Sequence, residues 1–259
     1  MTEKLTAPLS PKELTALCDE LLSAHAFKDY CPNGLQIDAD TPIKKIITGV
    51  TACQALIEVA IKENADAILV HHGYFWKGEA PALVEMKGRR IRQLFKNDIS
   101  LIAYHLPLDA HPTLGNNAKL AEKLGLSITG ALYPEEKYPV GNVATCPPIS
   151  PDELGEKITT VLGRTPLIIK SPNKHPITKV ALCTGGAQDM IEQAYKMGCD
   201  AFISGEISER TTHAARELGV HYFAAGHHAT EKDGVRALGE YLATHHGFEV
   251  RFIDIDNPA

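Results

Sequence analysis

The chain has no uninterrupted apolar run near eighteen residues, so no membrane-spanning helix is expected. Its opening residues, MTEKLTAPLSPKEL, lack the apolar stretch of a secretory leader, and a cytoplasmic location is expected. Closely spaced cysteine pairs are missing too. None of Cys18, Cys31, Cys53, Cys146, Cys183 and Cys199 falls at CxxC spacing, and they read as buried free thiols in a reducing compartment. Surplus positive charge is also absent. Thirty-two acidic residues against 26 basic ones give a formal net charge of −6, which argues against non-specific binding to nucleic acid or anionic lipid.

What the chain does have is length, repetition and histidine. Its 259 residues can bury a sizeable core as one large domain or two modest ones. Two segments match at an offset of 134 residues: PIKKIITGVTACQALIEVAIKENADAILVHHG from Pro42, and PITKVALCTGGAQDMIEQAYKMGCDAFISGEI from Pro176. Ten of 26 positions from Pro42 to Ala67 are identical without a gap, among them Lys45/Lys179, Gln54/Gln188 and Asp66/Asp200. This reads as an internal duplication.

Each copy begins with a β-rich run, passes a small-residue turn, and continues with apolar residues three and four apart. Leu56, Val59 and Ala60 form that stripe in one copy, and Ile191, Ala194 and Tyr195 in the other. A second apolar run follows, so each copy is β-α-β with parallel, buried strands and a right-handed crossover. A looser echo extends it: RRIRQLFKNDISLIAYH and ERTTHAARELGVHYFAAGH both read as helix, turn, strand, histidine. The fold class is therefore α/β, with duplicated β-α-β-α-β halves and helices flanking mixed or parallel sheets. Residues 1–130 form the first half, with an entry helix (PKELTALCDELLSA) and a turn (NGLQ). Residues 131–175 connect, with a strand (GNVATC), a helix opened by Ser150-Pro151-Asp152 and a strand (PLIIK); residues 176–259 form the second half. The halves are expected to make one unit sharing one site.

Ligands of open α/β sheets bind beyond the carboxyl ends of the strands. The run AILV ends in His71-His72, SLIAY ends in His105 with Asp109 four residues on, and HYFAA leads to His227 with Glu231 four residues on. His227 and Glu231 fall one turn apart on a helix whose apolar stripe runs through Val235, Leu238 and Leu242. Pro107 predicts a loop for HLPLDA, and Gly73 a turn that lets both adjacent histidines reach one place. Five or six ligand candidates on four segments exceed the needs of one ion and fit two divalent ions roughly 3.5–4 Å apart. Imidazole and carboxylate without thiolate suit Zn, Mn, Fe, Ni or Co rather than Mg or Ca. Two carboxylates against four positive charges leave a surplus that favours hydroxide and a small anionic substrate. His105 is a direct ligand or a hydrogen-bonding partner one step removed. His228 is ambiguous, and the other histidines, His25, His111, His175, His213, His221, His245 and His246, read as ordinary surface or core residues.

The motifs NGLQ (33–36), HHG (71–73), HLPLD (105–109), SGE (204–206) and GHHATE (226–231) together resemble the GTP cyclohydrolase 1 type 2 homologues. That family is also described as dinuclear-metal-centre or NGG-interacting-factor-like proteins, and the resemblance covers nearly the whole chain. It implies a duplicated α/β fold, a two-metal site on His71, His72, Asp109, His227 and Glu231, and ring-shaped homohexamers with the sites facing inward. The connection at 131–175 is too short for the domain that some relatives insert there. Tyr74-Phe75-Trp76 departs from the Pro-containing run common after HHG and alters the expected pocket wall.

The leading expectation is a two-metal hydrolase acting on a nucleotide, phosphoester or purine-type ring carbon. His105 and Glu206 are its candidate catalytic groups, Glu206 standing at the repeat position of His72. A surface or helix-capping glutamate is the alternative for Glu206. TGGAQD (184–189) reads as a strand-to-helix turn that could also hold phosphate, while Thr51 and Asn33 stay unassigned. The competing expectations are a non-catalytic metal-binding ring scaffold and a metal carrier.

Overall fold

One carboxylate device, used twice, sets the strand registers. The computed structural model describes residues 6–259. The chain divides into two compact units, one ending at Leu108 and resuming over Gly234–Asp256, the other covering Asp109–Asp233 and Asn257–Ala259.

The first unit opens with α1 (Pro11–Leu22), whose N-terminus carries a reciprocal capping box between Ser10 and Glu13. It continues with β1 (Gly34–Ile37), β2 (Lys45–Thr51), α2 (Gln54–Lys62), β3 (Ala67–His72), α3 (Glu85–Lys96) and β4 (Ser100–Ala103). A short helix, α4 (Leu106–Ala110), carries the chain to the second unit. That unit holds α5 (Asn116–Lys123), β5 (Ser127–Ala131), β6 (Asn142–Ile149), α6 (Pro151–Leu162), β7 (Leu167–Ile169) and β8 (Ile177–Cys183). Then come α7 (Ile191–Lys196), β9 (Ala201–Ser204), α8 (Glu209–Leu218), β10 (His221–Ala224) and α9 (His227–Thr230). The chain returns through α10 (Lys232–His246) to β11 (Glu249–Phe252) in the first unit.

The first unit's sheet runs β1-β4-β3-β2-β11, parallel except for β1, which lies antiparallel on β4. The second unit's sheet runs β5-β6-β8-β9-β10-β7; β8, β9 and β10 are parallel, and β5, β6 and β7 pair antiparallel. The expected strands of the 131–175 connection thus widen the second sheet on both sides. In β3 the residues Ala67–His71 are all buried, as a parallel strand covered on both faces requires. Leu56, Ile57, Ile68, Val70, Leu94 and Leu101 form a core in the first unit. Leu154, Ile158, Val180, Ile203 and Phe223 do so in the second.

The two β-α-β segments superpose in register. Ile46 pairs with Ala67 as Val180 pairs with Ala201, each residue 134 places from its counterpart. Asp66 Oδ2 accepts the N–H groups of Lys44 (2.9 Å) and Lys45 (2.8 Å). Asp200 Oδ2 accepts those of Thr178 and Lys179, both at 2.9 Å, and the Thr178 hydroxyl at 3.0 Å. Lys45 Nζ reaches the Glu63 carbonyl as Lys179 Nζ reaches that of Met197. Repetition of backbone pairing, carboxylate and lysine together establishes two similar halves.

Several sequence expectations change. The NGLQ segment supplies a strand from Gly34 rather than a turn. Tyr195 lies outside the apolar stripe of α7 and is exposed. Pro107 does not exclude helix from HLPLDA, because it stands in the first turn of α4, where its missing N–H has no helical partner to lose. The helix expected after Gly226 is interrupted at Glu231, whose φ is −111°, giving α9 and α10. Strands β5 and β11 carry too little apolar alternation to stand out: Ser127–Gly130 are exposed, and β11 alternates exposed and half-buried residues.

Candidate functional site

In the first unit, β3 runs through both adjacent histidines, and their rings lie 4.6 Å apart. Gly73 does not provide a left-handed turn. It provides space, since a Cβ there would fall 2.2 Å from Gln36 Oε1 and 2.7 Å from the Ala103 methyl. His105, just beyond β4, has its ring 5.1 Å from that of His71 and 5.8 Å from that of His72. The three imidazoles offer one nitrogen each within 4.8 Å of one another, a spacing that could hold a metal ion.

Each of these rings is held at Nδ1. The Nδ1 of His71 meets the Tyr104 carbonyl at 2.9 Å, that of His72 the Thr51 hydroxyl at 3.2 Å, and that of His105 an Asp29 carboxylate oxygen at 2.7 Å. Such partners fix ring orientation and leave Nε2 as the nitrogen suited to a cation. Burial pushes the Asp29 carboxyl up, but hydrogen bonds from His105, Asn33 and Tyr30 outweigh it and hold its pKa below the ordinary value. Asp29, Cys31 and His105 also lie at metal-ligand spacing. Asp29 is engaged by protein donors on both oxygens, and burial pushes the Cys31 thiol up to about 12, so this trio is better read as a support for His105.

In the second unit, Asp109 is buried and its Oδ1 accepts from Asn116 Nδ2 at 2.8 Å and from the Thr184 hydroxyl at 3.3 Å. Glu231 is buried as well, and its Oε2 lies 3.1 Å from His227 Nε2, the one-turn pairing that the sequence predicts. The opposite nitrogen, His227 Nδ1, meets Glu206 Oε1 at 2.6 Å. Burial pushes the His227 pKa down, but hydrogen bonds and charge from Glu231 and Glu206 reverse this and raise it to about 9. The surroundings of His227 therefore favour positive charge. Cys183 stays protonated, through burial first and the charges of Asp109 and Glu231 second. All six cysteines are free.

Gly185, with φ +68°, permits the close approach that Glu231 needs, because a Cβ there would fall 2.1 Å from Glu231 Oε1 and 3.1 Å from His227 Nε2. The turn TGGAQD thus packs against the acidic side chain. His105 and His227 are not at the same register position. Tyr104 N–H bonds Val70 O as Ala225 N–H bonds Ser204 O, so Gly226 is the counterpart of His105 and His227 lies one residue on. Gly226 has φ +102°, and a Cβ there would fall 2.4 Å from Arg164 Nη1, which leaves no room for a histidine.

The structure thus gathers His71, His72 and His105 in one unit and Asp109, His227 and Glu231 in the other. His228 is buried in α9. His25, His111, His175, His213 and His245 are not buried, whereas His221 and His246 are. Sequence reasoning missed Asp29. Its only signal is an Asp four residues before Asn33, whose Nδ2 donates to it at 2.9 Å, and that spacing has no distinguishing pattern. It also missed that Glu206, although exposed, orients a ligand candidate.

A family model described as Duf34/NIF3 (NGG1p interacting factor 3) matches residues 9–258. A Vibrio cholerae protein named GTP cyclohydrolase 1 type 2 homolog is 57% identical over 249 residues, covering 95% of this chain and 98% of that protein. A relative of the same name from Escherichia coli K12 is 50% identical over 247 residues, covering 95% and 98%. Among solved structures, the one described as protein ybgI, of unknown function, superposes with a TM-score of 0.93 at 48% identity, covering 97% of this chain and 100% of that one. TTHA1606 from Thermus thermophilus gives 0.87 at 30% identity, with the same coverage.

Proposed function

Because the chain belongs to the Duf34/NIF3 family, we propose that it is a dinuclear metal protein that hydrolyses a nucleotide or phosphoester. In this reading His71, His72, Asp109, His227 and Glu231 hold two divalent transition ions per subunit. The residues present fit such ions by their donor chemistry: imidazole and carboxylate, with Cys183 and Cys31 kept as thiols by burial. The observation that carries the reading is the shared use of Nδ1. His71, His72, His105 and His227 each give that atom to a protein partner, so four rings are oriented alike for coordination or proton transfer through Nε2.

When bound, divalent ions supply Lewis acidity at neutral pH. The protein's own groups do the rest. Asn116 and Thr184 orient Asp109, and Glu206 orients His227 and can accept a proton from its Nδ1. His105 is the proton-transfer residue beside His71 and His72. The substrate is a small anion, and a cytoplasmic setting fits the free thiols. No helix among the described residues is long and apolar enough to cross a membrane. A homohexameric ring is the proposed assembly, and exposed Leu83, Val84, Met86 and Phe95 offer apolar area to a second copy. The halves at 1–130 and 176–259, joined by 131–175, are proposed to descend from one duplicated segment.

Exposed apolar residues beside the basic helix α3 also give the scaffold reading its one support. Elemental analysis of remetallated protein and a panel of nucleotides and phosphoesters separates the two. Wild type should hold two transition ions per chain and turn over at least one class of substrate, while His71→Ala and Glu231→Ala lose both properties at native circular dichroism. Equal trace turnover in all three proteins would refute the hydrolase, and an unchanged metal content in the variants would refute the ligand set.

A further inference from the structure

Asp29 is engaged on both oxygens beside the histidine trio, and its bonding fixes more than geometry. Its Oδ1 accepts the Tyr30 N–H at 2.6 Å and faces His105 Nδ1 at 2.7 Å. Its Oδ2 accepts the Leu106 N–H and Asn33 Nδ2, both at 2.9 Å. Asn33 in turn accepts the His105 backbone N–H at 2.7 Å. Backbone and ring of His105 are thus both tied to this one loop, and Trp76 packs edge-on against the ring with centroids 5.0 Å apart.

Three N–H donors and the His105 ring converge on one side chain, and an ionised carboxylate, which only accepts, meets them all when Nδ1 carries the proton. Two are backbone N–H groups, one on each oxygen, so neither oxygen can become a donor without loss. A carboxylate at Nδ1 places the imidazole proton there and leaves a lone pair on Nε2. His105 is thereby tautomerically fixed, with its proton-accepting nitrogen on the edge away from Asp29.

We propose that Asp29 is a positioning residue that locks His105 in the Nδ1–H form, so that Nε2 takes the proton released by the attacking nucleophile. Charge balances: the proton moves to Nε2, the resulting imidazolium is stabilised by the Asp29 carboxylate, and the proton then passes to the leaving group. This proposal rests on the hydrolase reading.

Asp29→Asn tests it. An amide in place of the carboxylate must turn its NH2 towards one pair of donors. Facing His105 is the less disruptive choice, because an imidazole can move its proton to Nε2, whereas facing Leu106 would break the Asn33–His105 link as well. Nitrogen-15 spectra of the zinc-loaded protein, with His105 assigned through His105→Gln, should show Nδ1–H in wild type and Nε2–H in Asp29→Asn. Turnover number should fall about 100- to 10,000-fold, with KM and metal content near wild type. Asp29→Glu, which restores a carboxylate, should recover part of the rate and the wild-type tautomer, which excludes a folding defect as the cause. An unchanged tautomer in Asp29→Asn, or a switched tautomer with unchanged turnover number, would overturn the inference. Wild type inactive on every substrate would instead refute the hydrolase reading in that arm alone, while the spectra still decide whether Asp29 controls the ring.

Discussion

Two adjacent glycines give a test of the second unit's geometry that alters no proposed ligand. Gly185→Ala would place a methyl 2.1 Å from Glu231 Oε1, whereas ordinary contact begins at 3.4 Å. The carboxylate oxygen would have to retreat by about 1.3 Å, against a tolerance of about 0.2 Å for a metal–ligand bond. Glu231 is buried, so retreat is not simply rotation into solvent. The backbone adds a second effect, because φ of +68° disfavours an L side chain by about 1–2 kcal/mol. Gly186→Ala is the matched control: its Cβ would meet Glu206 no closer than 3.6 Å, and its φ is not left-handed. Calorimetric titration of stripped protein with zinc or manganese should show about 10- to 100-fold weaker binding for Gly185→Ala, comparable to losing a ligand's supporting partner. Urea denaturation should show a loss of at least about 1–2 kcal/mol from the backbone alone. Gly186→Ala should leave both close to wild type. Native affinity and stability in Gly185→Ala would refute the role assigned to the Glu231 carboxylate and to the turn against it.

Other consequences concern the frame. Asp200→Ala removes three accepted hydrogen bonds and Asp66→Ala two, so both destabilise, by about 2 kcal/mol for Asp200 and less for Asp66; the reverse order of urea midpoints would count against the shared device. His221 accepts the Ser171 N–H at Nδ1, 3.2 Å away, and burial lowers its pKa, with Lys170 adding to the effect and Asp200 opposing it. A depressed histidine pKa means that protonation favours the unfolded chain. Its stabilising contribution is therefore present above the unfolded value of about 6.5 and lost as pH falls through the lower folded value. His221→Asn, which keeps an acceptor without a titrating ring, should flatten that part of the stability–pH curve, and an unchanged slope between pH 8 and 5 would show that other groups cause it.

The β-α-β segments were legible because parallel strands buried on both faces leave continuous apolar runs, and because the 134-residue offset preserved Lys45/Lys179 and Asp66/Asp200. The candidate ligands stood out for a related reason: His71-His72, and His105 and His227 with a carboxylate four residues on, come where apolar runs end. What escaped is held by longer-range causes. β1 and β11 are edge strands, each defined by pairing with one neighbour distant in sequence. α4 forms despite Pro107 because proline conflicts with a helix interior rather than a first turn. Asp29 meets a histidine 76 residues away, and no local pattern announces such a pairing.

The carboxylate that fixes each strand pair sits just before β3 or β9, at the opposite end from the candidate ligands. Alignment of neighbours is therefore secured before either strand reaches its final residues, and those residues are free to differ. One half carries His71-His72 and the other Gly205-Glu206, while the flanking strands pair in the same register. Two halves that share one frame can in this way differ at their strand tips alone.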